Sequence, residues 1–236
     1  MEVSFAVAKI SKYATSESGD TLEMIERPHG GLSLVLVDGQ RSGKSAKNIS
    51  NVVARKAIQL LAEGVRDGAA ARAAHDYLYT YRKGKVSATL NIVSVDTESK
   101  TVVISRNNES PVIVYTERDG LYLLDAPSRG VGIYRHTKPV ITEMPIEVGT
   151  LIVVYTDGLR HAGSLSGNPV YDPLEATRRF LAEGKSNAQV VANTLLDEAV
   201  ERDNGRPRDD ISVLTLSVQD NPDRNDVRRL QGRIPI

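Results

Sequence analysis

The chain has 236 residues, with 30 Lys and Arg balanced by 30 Asp and Glu, 40% hydrophobic and 25% charged residues, and no Cys. That length builds one large domain or at most two small ones, and zero net charge leaves no positive field to favour nucleic acid or a membrane surface as partner. Disulfides and thiolate metal sites are excluded; with no basic leader and no run of 18 apolar residues, the expectation is a cytoplasmic protein that does not enter the membrane.

In chain order, Glu2 to Ile10 alternates apolar residues at Val3, Phe5 and Val7 and reads as an opening strand, followed by polar loop from Ser11 to Gly19. Thr21–Arg27 and Leu32–Val37 are strands joined by a hairpin at Pro28, His29, Gly30 and Gly31. From Ser45 the period changes: Ile49, Val52, Val53, Ile58, Leu60, Leu61 and Val65 share a helical face that stops at Gly64 or Gly68. Ala69–Arg82 is a second, Ala-rich helix. Strands return at Val86–Val95, Thr101–Ser105, Val112–Thr116 and Leu121–Leu124. A looser stretch with Gly130, Gly132, Pro139 and Pro145 follows, then a strand at Leu151–Tyr155. Helices at Pro173–Ala182 and Asn187–Arg202 and a last strand at Ile211–Val218 complete the pattern. Meander-like strand groups with two inserted helix pairs predict an α+β fold, two antiparallel sheets each covered by one pair. Asp220 to Ile236, rich in Arg, Asp, Asn and Pro, reads as a weakly packed polar tail beyond a domain spanning residues 1–219.

One stretch stands out for chemistry. The apolar run Leu32–Val37 ends in Asp38, and Gly39 lets the backbone turn so that its carbonyl can face the same point as the Asp38 carboxylate. Converging oxygens suit a hard divalent cation, although Asp-Gly is also an ordinary turn. The grammar recurs: LIVVYTDG ends at Asp157 and Gly158, RDDISVLTLSV starts a strand with Asp209 and Asp210, and SGD places Asp20 just before another. Acidic residues at four strand tips, far apart in sequence, are what a sheet can gather into a metal cluster. GQRSGKS at 39–45 has the look of a phosphate-binding loop, but the position where that motif needs its first glycine is Asp38, whose charge would repel phosphate.

SGD at 18–20, DGQRSGKSA at 38–46, SATLNIVSVD at 87–96, YTDGL at 155–159 and DDISVLTL at 209–216 resemble, in order, the motifs of the metal-dependent protein phosphatases, most closely the bacterial branch typified by SpoIIE. The resemblance spans residues 3 to 218. It implies a double antiparallel β-sandwich flanked by helix pairs (αββα) and hydrolysis of phosphoserine or phosphothreonine with two Mn²⁺ or Mg²⁺ ions. It also implies that Asp38 bridges the metals, Gly39 offers its carbonyl, Asp20 serves one side and Asp157 and Asp209 the other, with Asp210 an alternative to Asp209. Turnover then depends above all on Asp38 and Asp157, and no protein nucleophile is required.

The family pattern is not complete. Gln40 stands where many eukaryotic members have a proton-donating His, and an amide is no general acid. The family's phosphate-gripping Arg has no clear match, so Arg41 is either a substitute or a solvated loop residue. His161, Asn107 and Asn108 read as structural. Arg41, Lys44 and Lys47 form a local basic cluster able to meet a phosphorylated loop, although the same cations also suit a solvated helix start. Free-standing relatives of this kind resemble feedback phosphatases of partner-switching pathways, which implies a phosphorylated STAS-type regulatory protein as partner. A pseudophosphatase that binds without turnover is the alternative, and it predicts lost ligands that this chain retains.

Overall fold

The computed structural model describes residues 1–221 and 227–234. One five-stranded antiparallel sheet runs β1 (Glu2–Ile10), β10 (Ile211–Gln219), β9 (Leu151–Tyr155), β6 (Val112–Thr116) and β7 (Gly120–Leu124). The other runs β2 (Asp20–Glu26), β3 (Leu32–Gly39), β4 (Ala88–Asp96), β5 (Thr101–Asn107) and β8 (Val140–Pro145). Alternation along each strand explains how the sheets stack. On β3, Leu34 and Leu36 face the other sheet, while Val35 and Val37 face helices α1 (Gly43–Ala62) and α2 (Asp67–Arg82). On β10, Leu214, Leu216 and Val218 enter the same inter-sheet core, whereas Ile211 and Val213 pack towards α4 (Pro173–Ala182) and α5 (Ala188–Arg202).

Three stacked cores follow, in the order helices, sheet, sheet, helices, as the αββα expectation requires. Strands covered on both faces must be apolar on both, which is why LSLVLV and LIVVY carry almost no polar side chain. The helices sit close because their inner stripes are small: Ala46, Ala54 and Ala57 on α1, and Ala70, Ala71 and Ala74 on α2, are fully buried. Among the described residues, no helix is long and apolar enough to cross a membrane.

Two elements depart from the sequence expectation. The looser stretch contains β8, an edge strand pairing with β5 and bounded by Pro139 and Pro145. Proline is tolerated at strand ends and edges, and it masked the alternation of Ile141 with Thr142. A short helix, α3 (Asp157–His161), starts at the second acidic motif. Five residues are too few for helical periodicity to register. The Pro28 hairpin turns through a short 3-10 segment, Pro28–Gly30. Of the polar tail, residues 222–226 and 235–236 lie outside the described residues; Val227, Leu230 and Ile234 are exposed, and Arg228 reaches the Gly30 carbonyl at 2.7 Å.

Candidate active site

The acidic motifs meet where the ends of the two sheets converge. Asp20 opens β2 directly opposite Asp38 on β3. Asp20 is fully buried, and its Oδ2 accepts hydrogen bonds from Thr156 Oγ1 at 3.0 Å and Ser212 Oγ at 2.6 Å. Both donors belong to the opposite sheet, since Thr156 follows β9 and caps α3 while Ser212 lies on β10. One carboxylate therefore ties the sheets together at the site. Its backbone carbonyl is held by Lys9 Nζ at 2.7 Å and Lys47 Nζ at 2.6 Å.

Glycines let the surrounding chains approach this closely. A Cβ on Gly39 would stand 2.1 Å from the Ala46 carbonyl oxygen of α1, and one on Gly158 would stand 2.2 Å from the Asp210 carbonyl oxygen. No real side chain tolerates either distance. The Asp-Gly pairs thus serve packing: each glycine clears the way for a neighbouring backbone to be pressed against the tip that carries the carboxylate.

The electrostatics of the cluster are those of crowded like charges. Burial pushes the Asp38 carboxyl well above the ordinary range, and the charges of Asp20, Asp157 and Asp209 push it further. Burial does the same to Asp20, opposed by the hydroxyls of Ser212 and Thr156 and by Lys9. Asp209 is raised by burial and by Asp157 and Asp210. The neighbouring Asp20 carboxyl, within hydrogen-bonding reach of a protonated Asp38, adds to the rise at Asp38. With both ionised, Asp20 Oδ1 is left buried with no donor among the described residues. Such an arrangement calls for a proton or a cation.

Asp209 and Asp210 have opposite fates. Asp209 faces the cleft with Asp38 and Asp157. Asp210 is buried, with Oδ1 accepting from Lys12 N at 3.0 Å and Oδ2 from Gly19 N at 2.9 Å, so its carboxylate anchors the loop between β1 and β2. The structure thus keeps one member of the pair at the cleft and gives the other a different partner set.

The cleft in front of the cluster has a volume of about 820 Å³. Gln40, Arg41, Asn108 and His161 reach its wall, while Asp20 lies behind Asp38. Gln40 Oε1 accepts from Ser87 N, pinning the end of β3 to the chain entering β4. Arg41 adopts a left-handed backbone, φ 79°. Lys44 is exposed and not part of the wall, and Lys47 turns inward to Asp20, which leaves Arg41 as the one member of the basic cluster on the cleft. His161 Nδ1 lies 4.0 Å from Asp157 Oδ2. Asn107 and Asn108 are buried and bond backbone: Asn107 Nδ2 donates to Arg129 O, and Asn108 Oδ1 accepts from Ser110 N.

The family model for Stage II sporulation protein E (SpoIIE) matches residues 28–219. The chain belongs to the SpoIIE family. It is 22% identical over 221 residues to Stage II sporulation protein E of Priestia megaterium, covering 93% of this chain and 37% of that one. It therefore spans about a third of the length of that curated relative. Among solved structures, the PP2C phosphatase domain and regulatory fragment of SpoIIE from Bacillus subtilis superposes with a TM-score of 0.78 at 19% identity, covering 93% of this chain and 64% of that one. The RsbU and RsbW domains of a Mycobacterium tuberculosis protein give 0.70 at 20% identity over 92% and 60%. RsbX in complex with magnesium gives 0.68 at 17% identity over 91% and 94%. The fold is that of the PP2C-type serine/threonine phosphatases.

A SpoIIE-type site calls for divalent cations, and the donor set here suits them. All candidate donors are hard oxygens, and the unanswered Asp20 Oδ1 is buried beside Asp38. Among the described residues, no three acidic or histidine side chains already enclose a single point. Sequence reasoning missed Lys12, Arg129 and Arg160, which also line the cleft. Lys12 carried a usable signal, since it lies in the loop leading to the SGD motif. Arg129 and Arg160 become visible only once the loop after β7 and the short α3 are placed.

Proposed function

We propose that this chain hydrolyses phosphoserine or phosphothreonine on a regulatory protein, with two Mn²⁺ or Mg²⁺ ions held by Asp20, Asp38, the Gly39 carbonyl, Asp157 and Asp209. The observation that carries this reading is the buried carboxylate of Asp20, one oxygen without a donor, facing Asp38 behind a cleft that Asp157 and Asp209 share. Bound divalent ions supply the charge that makes water a nucleophile near neutral pH and offsets charge on the phosphoryl oxygens.

The chain's own residues do the rest. Asp38 lies between Asp20 on its own sheet and the pair from the other sheet, which supports the reading that it would serve both ions. Thr156 and Ser212 fix the orientation of Asp20, and Asp210 holds the loop before it and takes no metal. Lys12, Arg129 and Arg160 stand on the wall to receive the phosphate dianion, a role that the sequence offered only to Arg41. Gln40 cannot protonate the leaving oxygen, so solvent entering the open cleft supplies that proton.

For the partner we propose a phosphorylated STAS-type protein, supported by the resemblance to partner-switching phosphatases and by the likeness to a chain that joins RsbU and RsbW domains. Arg41 at the rim and Lys44 beyond it are placed for the protein surface around the phosphate. Hydrolysis of para-nitrophenyl phosphate and of a phosphoserine peptide, with Mn²⁺ and with chelator, tests the chemistry: full activity in chelator overturns it. Folded protein that binds Mn²⁺ and turns over neither substrate establishes the pseudophosphatase instead. Neutralising Arg41 and Lys44 lowers turnover of the STAS-type protein by up to about fivefold, as exposed ion pairs allow, and leaves para-nitrophenyl phosphate almost unchanged.

A further inference from the structure

The loop that follows β7 forms no regular helix or strand, yet residues 126–132 are fastened to three neighbouring elements. From the end of β5, Arg106 donates through Nη2 to the Ala126 carbonyl and accepts at its own carbonyl from Ser128 Oγ at 2.8 Å, while Asn107 Nδ2 holds the Arg129 carbonyl at 3.1 Å. From the start of β4, Ala88 exchanges both backbone hydrogen bonds with Val131, at 2.8 and 3.1 Å. Two glycines permit the approach. A Cβ on Gly130 would stand 2.7 Å from the Ala88 carbonyl oxygen, and Gly132, at φ 103°, is pressed against Leu78 and the Val86 carbonyl.

The third fastening comes from helix α2. The buried Gly132 amide has no partner strand, and it donates to His75 Nδ1 at 3.0 Å. His75 is 1% exposed. An imidazole that accepts at Nδ1 carries its proton on Nε2, which lies 3.8 Å from Asp76 Oδ1, and burial favours the same neutral form. Elsewhere the inner stripe of α2 is apolar, at Ala71, Ala74 and Leu78. A polar ring stands at 75 because a buried backbone donor has to be answered there. On the Tyr134 side of Val131 the loop also reaches α2 through Arg135 Nε and Tyr79 Oη, at 3.1 Å, but that bond is exposed.

What this loop carries faces the acidic cleft. Arg129 and Tyr134 both line it, the guanidinium lying over the ring 4.8 Å from its centroid. Among the described residues no carboxylate forms an ion pair with Arg129, that of Glu109 on the same wall included. A ring face orients a cation without neutralising it, so the charge stays available to an anion.

We infer that His75 is a positioning residue for substrate: through the Gly132 amide it locks residues 129–132 so that Arg129, steadied by Tyr134, meets the phosphorylated chain. The substrate half of this inference rests on the phosphatase reading, whereas the lock on the loop does not.

Hydrogen–deuterium exchange of the intact, metal-free chain, read over residues 126–134, tests the lock. His75→Leu speeds exchange there by roughly tenfold or more, the scale of a buried donor left unanswered. In the Mn²⁺-loaded protein the same variant raises KM for a phosphoserine peptide about three- to tenfold and keeps kcat within about twofold. His75→Asn, whose Oδ1 falls near the place of Nδ1, restores both readouts. In an Arg129→Gln background His75→Leu raises KM no further, because the two residues act through one contact. Should His75→Leu fail to fold, His75→Gln replaces it, since its oxygen falls near Nε2 and leaves Gly132 unanswered. Unchanged exchange in the folded variant, equal effects of Asn and Leu, or a KM effect that persists in full without Arg129 overturns the inference. A wild type that turns over no phosphopeptide defeats the phosphatase reading and the substrate half with it, and the exchange comparison still decides the lock.

Discussion

Asp20 and Asp38, paired across β2 and β3, live in a different medium from Asp157 and Asp209, which hang from the ends of the opposite sheet. Asp20 is 0% exposed, whereas the Asp157 side chain is 44% exposed. Asp20 is held by hydroxyls, the strand tip carrying Asp38 is pressed by helix α1 through Gly39, and burial raises both carboxyls. The second pair is reached by solvent. The difference shows how a sandwich builds a site that no single sheet could: Asp20 sits inside the protein behind the half-buried Asp38, and the opposite sheet sets Asp157 and Asp209 on the open cleft. A cation at their junction would offset the crowded charge of Asp20 and Asp38.

Substitution separates the two pairs most strongly. Asp38→Asn and Asp157→Asn each lower para-nitrophenyl phosphate hydrolysis by roughly 100- to 1,000-fold, the scale of losing a group that stabilises transition-state charge. Their effects on the metal-free fold differ. Asp38→Asn relieves the crowding of like charges beside the buried Asp20 and raises the melting temperature, whereas Asp157→Asn leaves it nearly unchanged. Equal thermal shifts in the two variants contradict the contrast.

Packing supplies the next effect. Gly39→Ala forces a methyl group against the Ala46 carbonyl and costs about 1–3 kcal/mol, or roughly 2–12 °C in melting temperature for a chain of this size. Activity falls with it, because the strand tip carrying Asp38 must move. Full activity with an unchanged melting temperature shows that the tip is free of α1.

The pH dependence is gentler and its sign is fixed by the pair across β2 and β3. Asp20 and Asp38 bind protons more tightly in the fold than in the unfolded chain, so their contribution is fully present below the ordinary carboxylate value near 4 and is lost as pH rises towards their raised values. Thermal melts of the chelated protein show falling stability from mildly acidic to neutral pH, and Mn²⁺ flattens that slope. A chelated protein that gains stability over the same range contradicts the reading.

The smallest effect belongs to the chain end. Deleting residues 220–236 changes stability by about 1 kcal/mol or less, within a few degrees of melting temperature, since the contacts of Arg228 with Glu26 and Gly30 are exposed. A larger drop shows that the tail packs on the core.

Much of this was legible in the residues. Runs such as Leu32–Val37 are apolar on both faces because both faces are buried, and three of the four acidic strand tips, Asp20, Asp38 and Asp157, were marked by the glycines beside them. The choice between Asp209 and Asp210 was not legible, because adjacent residues point to opposite sides and only the loop between β1 and β2 shows which carboxylate is already engaged. The basic cluster at 41–47 was misleading for a similar reason: one turn of helix carries Lys47 inward to the Asp20 carbonyl. Nor could the sequence place Arg129 or Arg160, whose positions depend on a loop and on a helix too short to leave a periodic trace.

The central claim is that like charges gathered from two sheets form a cation site. Calorimetric titration of Mn²⁺ into the chelator-stripped protein tests it most directly, comparing wild type with Asp38→Asn and Asp210→Asn. Saturable binding to the wild type, its loss in Asp38→Asn and its survival in folded Asp210→Asn are the predicted results. Undiminished binding to Asp38→Asn, or no binding to the wild type, contradicts the account.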